Sequence, residues 1–354
     1  IIMKLIKTVD AEGAVLCHDI TQIIKGVTKD AVFRKGHVVT KEDIPVLLSV
    51  GKDQLYVWEK EEGMLHENDG AEILCAMCKG EHMERSQAKE GKIELTAACD
   101  GLLKVDNKGL KAVNGFGQMM IATRHGNFAV KKGDKLAGTR IIPLVIEEEK
   151  MTKAKEAAMA ATGNKPILNL LPFKHKKVGI VTTGNEVFYG RIKDTFTPVI
   201  EGKLAEFDTE IIDHVTWNDD DTKVTASILD MIHKGADIVV CTGGMSVDPD
   251  DKTPLAIKNT GADIVSYGAP VLPGAMFMLA YYQVTEGDDT RTVAIMGLPG
   301  CVMYAKRTIF DLVLPRVMAD DKVTAEELAA LGPGGLCLNC PVCTFPNCGF
   351  GKGV

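Results

Sequence analysis

No apolar run in this 354-residue chain approaches the ~20 residues that a membrane-spanning helix needs, so no membrane segment is expected. Basic charge is in deficit as well. With 41 Lys and Arg against 48 Asp and Glu, the net charge is −7 and the pI is near 5.7, which excludes the basic face of a nucleic-acid scaffold. An acidic protein still binds a phosphorylated ligand when backbone amides or a metal ion supply the positive field. The N-terminus, Ile1-Ile2-Met3-Lys4, lacks a signal-peptide core; Met3 is a candidate start and a cytoplasmic location is the expectation. In that reducing compartment the ten cysteines are expected as thiols or metal ligands, not disulfides.

What is present is the profile of a globular protein, 45% hydrophobic and 25% charged, and long enough for two or three domains. Residues 1–59 read as a small α/β unit: Thr40 as a helix N-cap, Gly51 as its stop, then a strand over 54–58. Glycine-punctuated apolar segments make 60–149 a β-rich domain, and 150–176 a linker helix closed by Gly163 and Asn164. From 177 to 319 strands near 177–181, 209–215, 237–241, 264–266, 277–282 and 292–296 alternate with helices opening at Thr197, Thr222, Thr253 and Met303. This alternation predicts an α/β fold with a mostly parallel sheet and helices on both faces. Residues 320–354 form a Gly- and Cys-rich tail.

Three glycine turns each follow a strand: Thr183-Gly184-Asn185-Glu186, Gly243-Gly244-Met245-Ser246 and Gly297-Leu298-Pro299-Gly300. Parallel strands end at one edge, so the turns are expected to line one crevice where amides point at an anion. Any one of them alone reads more often as a plain connection between strand and helix. Acidic residues gather at the same edge: Glu186, Asp194, Asp219, Asp220, Asp221, Asp248, Asp250 and Asp251. Asp219 to Asp221 precede a helix and double as caps, and Asp251 is an alternative cap for the helix opened by Pro254. The run Ser246 to Asp251 sets three carboxylates side by side, which calls for a cation such as Mg²⁺ held by one or two carboxylates and substrate phosphates.

The ordered set TGNE, DTFTP, NDDD, GGMSVDPDDKTP, the Pro273-Gly274 loop and GLPG, over about 177–318, resembles the molybdopterin-binding domain of the molybdopterin molybdotransferase and gephyrin family. It resembles the molybdopterin adenylyltransferases less closely. The segment 33–58 resembles a piece that molybdotransferases carry just before the TGNE strand. The resemblance implies molybdopterin or its adenylate as ligand, with Mg²⁺ and molybdate, and cleavage of the adenylate as molybdenum is inserted. By motif position it makes Glu186, Asp219 and Asp251 catalytic, and Glu186, Asp250 and Asp251 metal ligands. It assigns ligand contacts to Thr183, Gly184, Asn185, Asp194, Gly243, Gly244, Ser246, Asp248, Pro273, Gly274, Gly297, Leu298, Pro299 and Gly300. It further suggests a homodimer and a molybdoenzyme as recipient. Leu272, Ala275 and Cys301 depart from the family's pattern, which has lysines in the Pro-Gly loop and Asn-Pro after GLPG. Those lost lysines favour a second reading, a cofactor carrier. A third is a nucleotide pyrophosphatase on the same fold.

The tail places Cys337, Cys340, Cys343 and Cys348 within twelve residues, a spacing suited to Zn²⁺ or an iron–sulfur cluster, or to a flexible tether with reactive thiols. Cys75, Cys78 and His82 stand at helical spacing, and buried thiols beside an unrelated histidine account for them.

Overall fold

The computed structural model describes residues 3–24, 28–58, 62–249, 251–287 and 289–353. The chain gathers into two compact units that interleave: Ile1–Thr96, Val105–Arg124 and Lys135–Asn169 form the first, and Ala97–Lys104, His125–Asp134 and Leu170–Val354 the second. This differs from boundaries drawn along the chain at 59, 149, 176 and 319. The strand Phe128–Val130 pairs antiparallel with Gly101–Val105, and Phe128 lies in the core of the second unit.

In the first unit Met3–Lys7, Gln54–Trp58 and Val15–Leu16 make an antiparallel three-stranded sheet beside the helix Asp43–Ser49. Its small core contains Leu16, Ile20, Val39, Leu47, Leu55 and Val57. A second sheet orders Met119–Thr123, Lys135–Ile141, Lys92–Ala97 and Met83–Arg85. The expected strands are joined by two helices that the glycine spacing concealed, Glu67–Cys78 and Asn107–Asn114. Cys75 and Cys78 are buried in the first of these, and burial pushes the Cys78 thiol up to about 12. The expected linker helix runs Glu148–Thr162 and ends on Gly163 in the left-handed region.

The second unit is built on six strands: β1 (Lys176–Thr183), β2 (Thr209–Trp217), β3 (Ile238–Thr242), β4 (Asp263–Tyr267), β5 (Met278–Glu286) and β6 (Asp289–Leu298). Their order is β2-β1-β3-β6-β5-β4. The first four in that order are parallel, and β5 runs against its neighbours. The helices are α1 (Asn185–Phe188), α2 (Thr197–Leu204), α3 (Asp221–His233), α4 (Thr253–Asn259) and α5 (Ile309–Met318).

Strand residues alternate between the faces, as a period of two requires. Val178, Ile180, Ile238, Val240 and Met296 pack with Ile200 and Leu204 of α2 and Ile309 and Val313 of α5. Val181, Val239, Cys241, Val293 and Ile295 pack with Val224, Ile228 and Met231 of α3 and Ile257 of α4. Because both faces of β3 are covered, all five of its residues are buried, which is why it reads as an uninterrupted apolar run.

The last helix begins later than the expected start at Met303. Gly300–Met303 form a 3₁₀ turn, and α5 opens only at Ile309. There the Thr308 hydroxyl accepts from the Phe310 N–H (3.2 Å) and the Asp311 carboxylate from the Thr308 N–H (2.7 Å), a capping box. The tail is packed against this unit rather than tethered to it: Val323, Leu328 and Phe350 are core residues. No helix among the described residues is long and apolar enough to cross a membrane.

Candidate functional site

The carboxyl ends of β1, β3 and β6 lie side by side, with Thr182 paired to Thr242 and Thr242 to Leu298. The three glycine turns therefore occupy one sheet edge. The Pro273-Gly274 loop joins them, because Met278 at the start of β5 pairs with Gly297.

The first turn carries Thr183, Gly184 and Asn185 into α1. The Asn185 N–H donates to the Asp219 carboxylate at 3.3 Å, bringing Asp219 from the end of β2 to this turn. Glu186 is exposed and folds back over Gly184, where an ideal Cβ lies 3.5 Å from its carboxylate. Beside them the Asn218 side-chain oxygen is buried with no hydrogen-bonding partner.

The second turn has the tightest geometry. Gly243 and Gly244 have φ of 81° and 56°, and a Cβ at Gly243 would lie 2.1 Å from the Thr183 carbonyl oxygen. Only glycine combines that conformation with that approach. Gly243→Ala is accordingly expected to cost roughly 1–3 kcal/mol in the second unit, read from its urea midpoint, with ligand affinity falling alongside. An unchanged midpoint would mean that the loop relaxes freely.

Threonines at the strand ends bind the turns together. The Thr183 hydroxyl lies 3.1 Å from that of Thr253, which donates to the Gly243 carbonyl at 2.8 Å. Thr182 stands 3.2 Å from the Thr197 hydroxyl and 3.1 Å from His214 Nε2. Tyr267 donates its hydroxyl to the Met245 carbonyl at 2.8 Å, and burial, then the charge of Asp251, raises its pKa. Residue-type reasoning missed this frame. Its trace in the sequence is the threonines that end β1 and β3 and open α2 and α4.

Several expected ligands do other work. Asp194 accepts from the N–H groups of Phe196 (2.8 Å) and Thr197 (3.1 Å) and from the Thr197 hydroxyl (2.5 Å), which pins the start of α2. Burial opposes ionisation of Asp194, but these hydrogen bonds outweigh it and lower its pKa. Asp220 is the N-cap of α3, as the capping interpretation requires for one of the three aspartates. Leu298 is a core side chain, so only its backbone can meet a ligand. Ser246, Asp248 and Gly300 are exposed; Pro299 is buried. Asp250 lies outside the described residues. Asp251 does not cap α4, whose N-cap is Lys252 with no side-chain cap bond; its N–H closes a turn onto the Asp248 carbonyl (2.9 Å). Among the described residues no three His, Cys, Asp or Glu side chains stand close enough to share one metal ion.

Comparison with known proteins bears on this edge directly. Residues 179–319 match the family model described as "Probable molybdopterin binding domain". Residues 179–319 form a domain of that family. Within the molybdopterin-binding domain fall all of the turns and acidic residues above; the cysteine tail lies beyond it. Residues 5–59, which include the segment 33–58, match a different model, described as a domain of unknown function.

A CinA-like protein of Mycobacterium tuberculosis (strain ATCC 25177 / H37Ra) is 34% identical over 77 residues, 22% of this chain. That match spans 18% of the relative's own length. Among solved structures, the tungsten cofactor synthesizing protein MoaB from Pyrococcus furiosus aligns at a TM-score of 0.31 and 21% identity, over 42% of this chain and 89% of that one. The protein CinA from Thermoplasma acidophilum aligns at 0.32 and 16%, over 40% and 98%.

Proposed function

We propose that the molybdopterin-binding domain takes molybdopterin or its adenylate along this edge, in molybdenum cofactor biosynthesis, and inserts molybdate as the adenylate is cleaved. The observation that supports this reading is the adjacency of the turns at 183–185, 243–246, 273–274 and 297–300, within a segment matching the molybdopterin-binding model. Backbone amides of the turns hold the phosphate, and the open Asn218 acceptor suits a pterin N–H. Mg²⁺ fits the carboxylates in one respect. Asp251 is not used as a cap, and Mg²⁺ is commonly held by one or two carboxylates plus substrate phosphates, not by a protein cage. Bound there, beside Asp251 and Glu186, it would neutralise charge on the phosphoanhydride. The chain's own part is positioning: Asp219 orients the first turn, Tyr267 and Thr253 the second.

A carrier reading draws on Leu272 and Ala275, uncharged where the family has lysines. Anaerobic incubation with molybdopterin adenylate, Mg²⁺ and molybdate separates the two. AMP release that requires molybdate supports insertion. Tight binding without release supports a carrier that hands cofactor to a molybdoenzyme, and AMP release indifferent to molybdate points to pyrophosphatase activity.

A further inference from the structure

Five of the chain's ten cysteines line one cavity of about 560 Å³ in the second unit: Cys301, Cys337, Cys340, Cys343 and Cys348. None of the five is buried, and none is in a disulfide; by contrast Cys75, Cys78 and Cys241 are buried packing residues. The loop carrying four of them is anchored at both ends by backbone and apolar contacts, with Cys337 and Cys348 half-buried against the core and Cys340 and Cys343 exposed. At one end Leu336 pairs with Leu272, and the Cys337 N–H donates to the Leu272 carbonyl at 2.8 Å. At the other, Phe350 enters the core and the Gly351 N–H donates to the Gly334 carbonyl at 2.9 Å. Between them Phe345 packs against Phe128 and Phe350, with the Arg307 guanidinium 5.2 Å from its ring centre. The fold thus holds the thiols around a space that they do not fill.

The arrangement discriminates between metals. A single zinc needs four sulfurs converging at about 2.3 Å from one point. Among the described residues no three potential ligands converge in that way. A cubane brings its own volume of iron and sulfide and takes one thiolate at each of four corners, so its ligands stand around a cavity. Cys337, Cys340 and Cys343 repeat the C-x₂-C-x₂-C spacing by which a ferredoxin run supplies three ligands to one cluster, and Cys348 on the same cavity is available as the fourth. Lys306 and Arg307 line the same cavity and place positive charge beside it.

We propose that Cys337, Cys340, Cys343 and Cys348 ligate a [4Fe–4S] cluster in this cavity. Each thiol exchanges with a thiolate carried by a preassembled cluster: one Fe–S bond forms, one breaks, and the proton leaves on the displaced thiol, so ligation transfers no electrons. Pro273 and Cys301 also line the cavity, which sets the cluster against the Pro-Gly loop and the GLPG turn. Cys301 is a fifth thiol that faces the cluster without ligating it.

The test is iron and acid-labile sulfide analysis of the full chain purified without air. About four of each per chain are expected. Cys340→Ser and Cys343→Ser alter exposed side chains, so they should retain the wild-type circular dichroism and melting temperature while iron falls at least fourfold. Cys301→Ser should keep its iron. One zinc per chain, iron retained in both exposed-cysteine variants, iron lost from Cys301→Ser, or no uptake when iron and sulfide are supplied would each overturn the assignment. None of these outcomes depends on molybdopterin binding.

Discussion

Replacing Asp311 with alanine is expected to lower the stability of the second unit by about 3–5 kcal/mol, because it strands a buried charge. The Lys203 ammonium lies 2.7 and 2.8 Å from the two Asp311 oxygens, with their side chains 10% and 4% exposed. Its other acceptor among the described residues is the Lys306 carbonyl at 3.2 Å. Asp311 also accepts from Arg307 at 2.8 Å and closes the capping box at Thr308, so the substitution removes a cap worth about 1 kcal/mol besides. Urea denaturation followed by the fluorescence of Trp217, in a Trp58→Phe background, reports on this unit alone. The pair Lys203→Met with Asp311→Leu should recover most of the loss, since it removes both charges while Arg307 keeps Glu206. A single-variant loss below about 1 kcal/mol would show that water reaches Lys203 in the folded state.

The α/β architecture was legible in the sequence where burial is two-sided and periodicity unambiguous. Strand β3 reads from its unbroken apolar run, and α3 from Val224, Ile228, Met231 and Ile232 on one face, closed by Gly235. Legibility failed where a single capping interaction decides. Residues 303–308, Met-Tyr-Ala-Lys-Arg-Thr, hold no glycine or proline to stop a helix, but the Thr308–Asp311 box starts it at Ile309. It failed again in the tail. Glycines there suggest a tether, yet the chain is held by pairing between Leu336 and Leu272, about sixty positions away, which no local pattern encodes.

The candidate site divides along the same line. Glycine turns are visible because their backbone geometry restricts residue type, and all of them reach one edge. Carboxylates are not, because the same Asp serves as a ligand, a cap or a loop clamp: Asp194 clamps α2, Asp220 caps α3, and Asp219 holds the first turn. Tyr267 and the strand-end threonines act through neighbours from other strands, so they surface only once the sheet order is known. The thiol-lined cavity is intermediate. Its four tail cysteines announce themselves by spacing, whereas Cys301 joins them only through folding.

Asp251→Asn should reduce AMP release by about 100-fold or more while leaving affinity for molybdopterin adenylate within about tenfold, a difference of 1.4 kcal/mol or less. Asparagine keeps the size of the side chain and the N–H that closes the turn on Asp248, so the loop has no reason to move. Only the charge is lost, and with it the means of placing a cation on the phosphoanhydride, whereas the turn amides still grip the phosphate. Tyr267 offers a readout free of turnover. Burial and the Asp251 charge together raise its pKa, so ultraviolet titration of the variant should show that phenol moving back toward its ordinary value. A shifted Tyr267 with unchanged AMP release would show that the charge was removed and the reaction did not need it. If turnover and affinity collapse together in a folded variant, Asp251 shapes the GGMS loop and the cation belongs with Glu186 and Asp219.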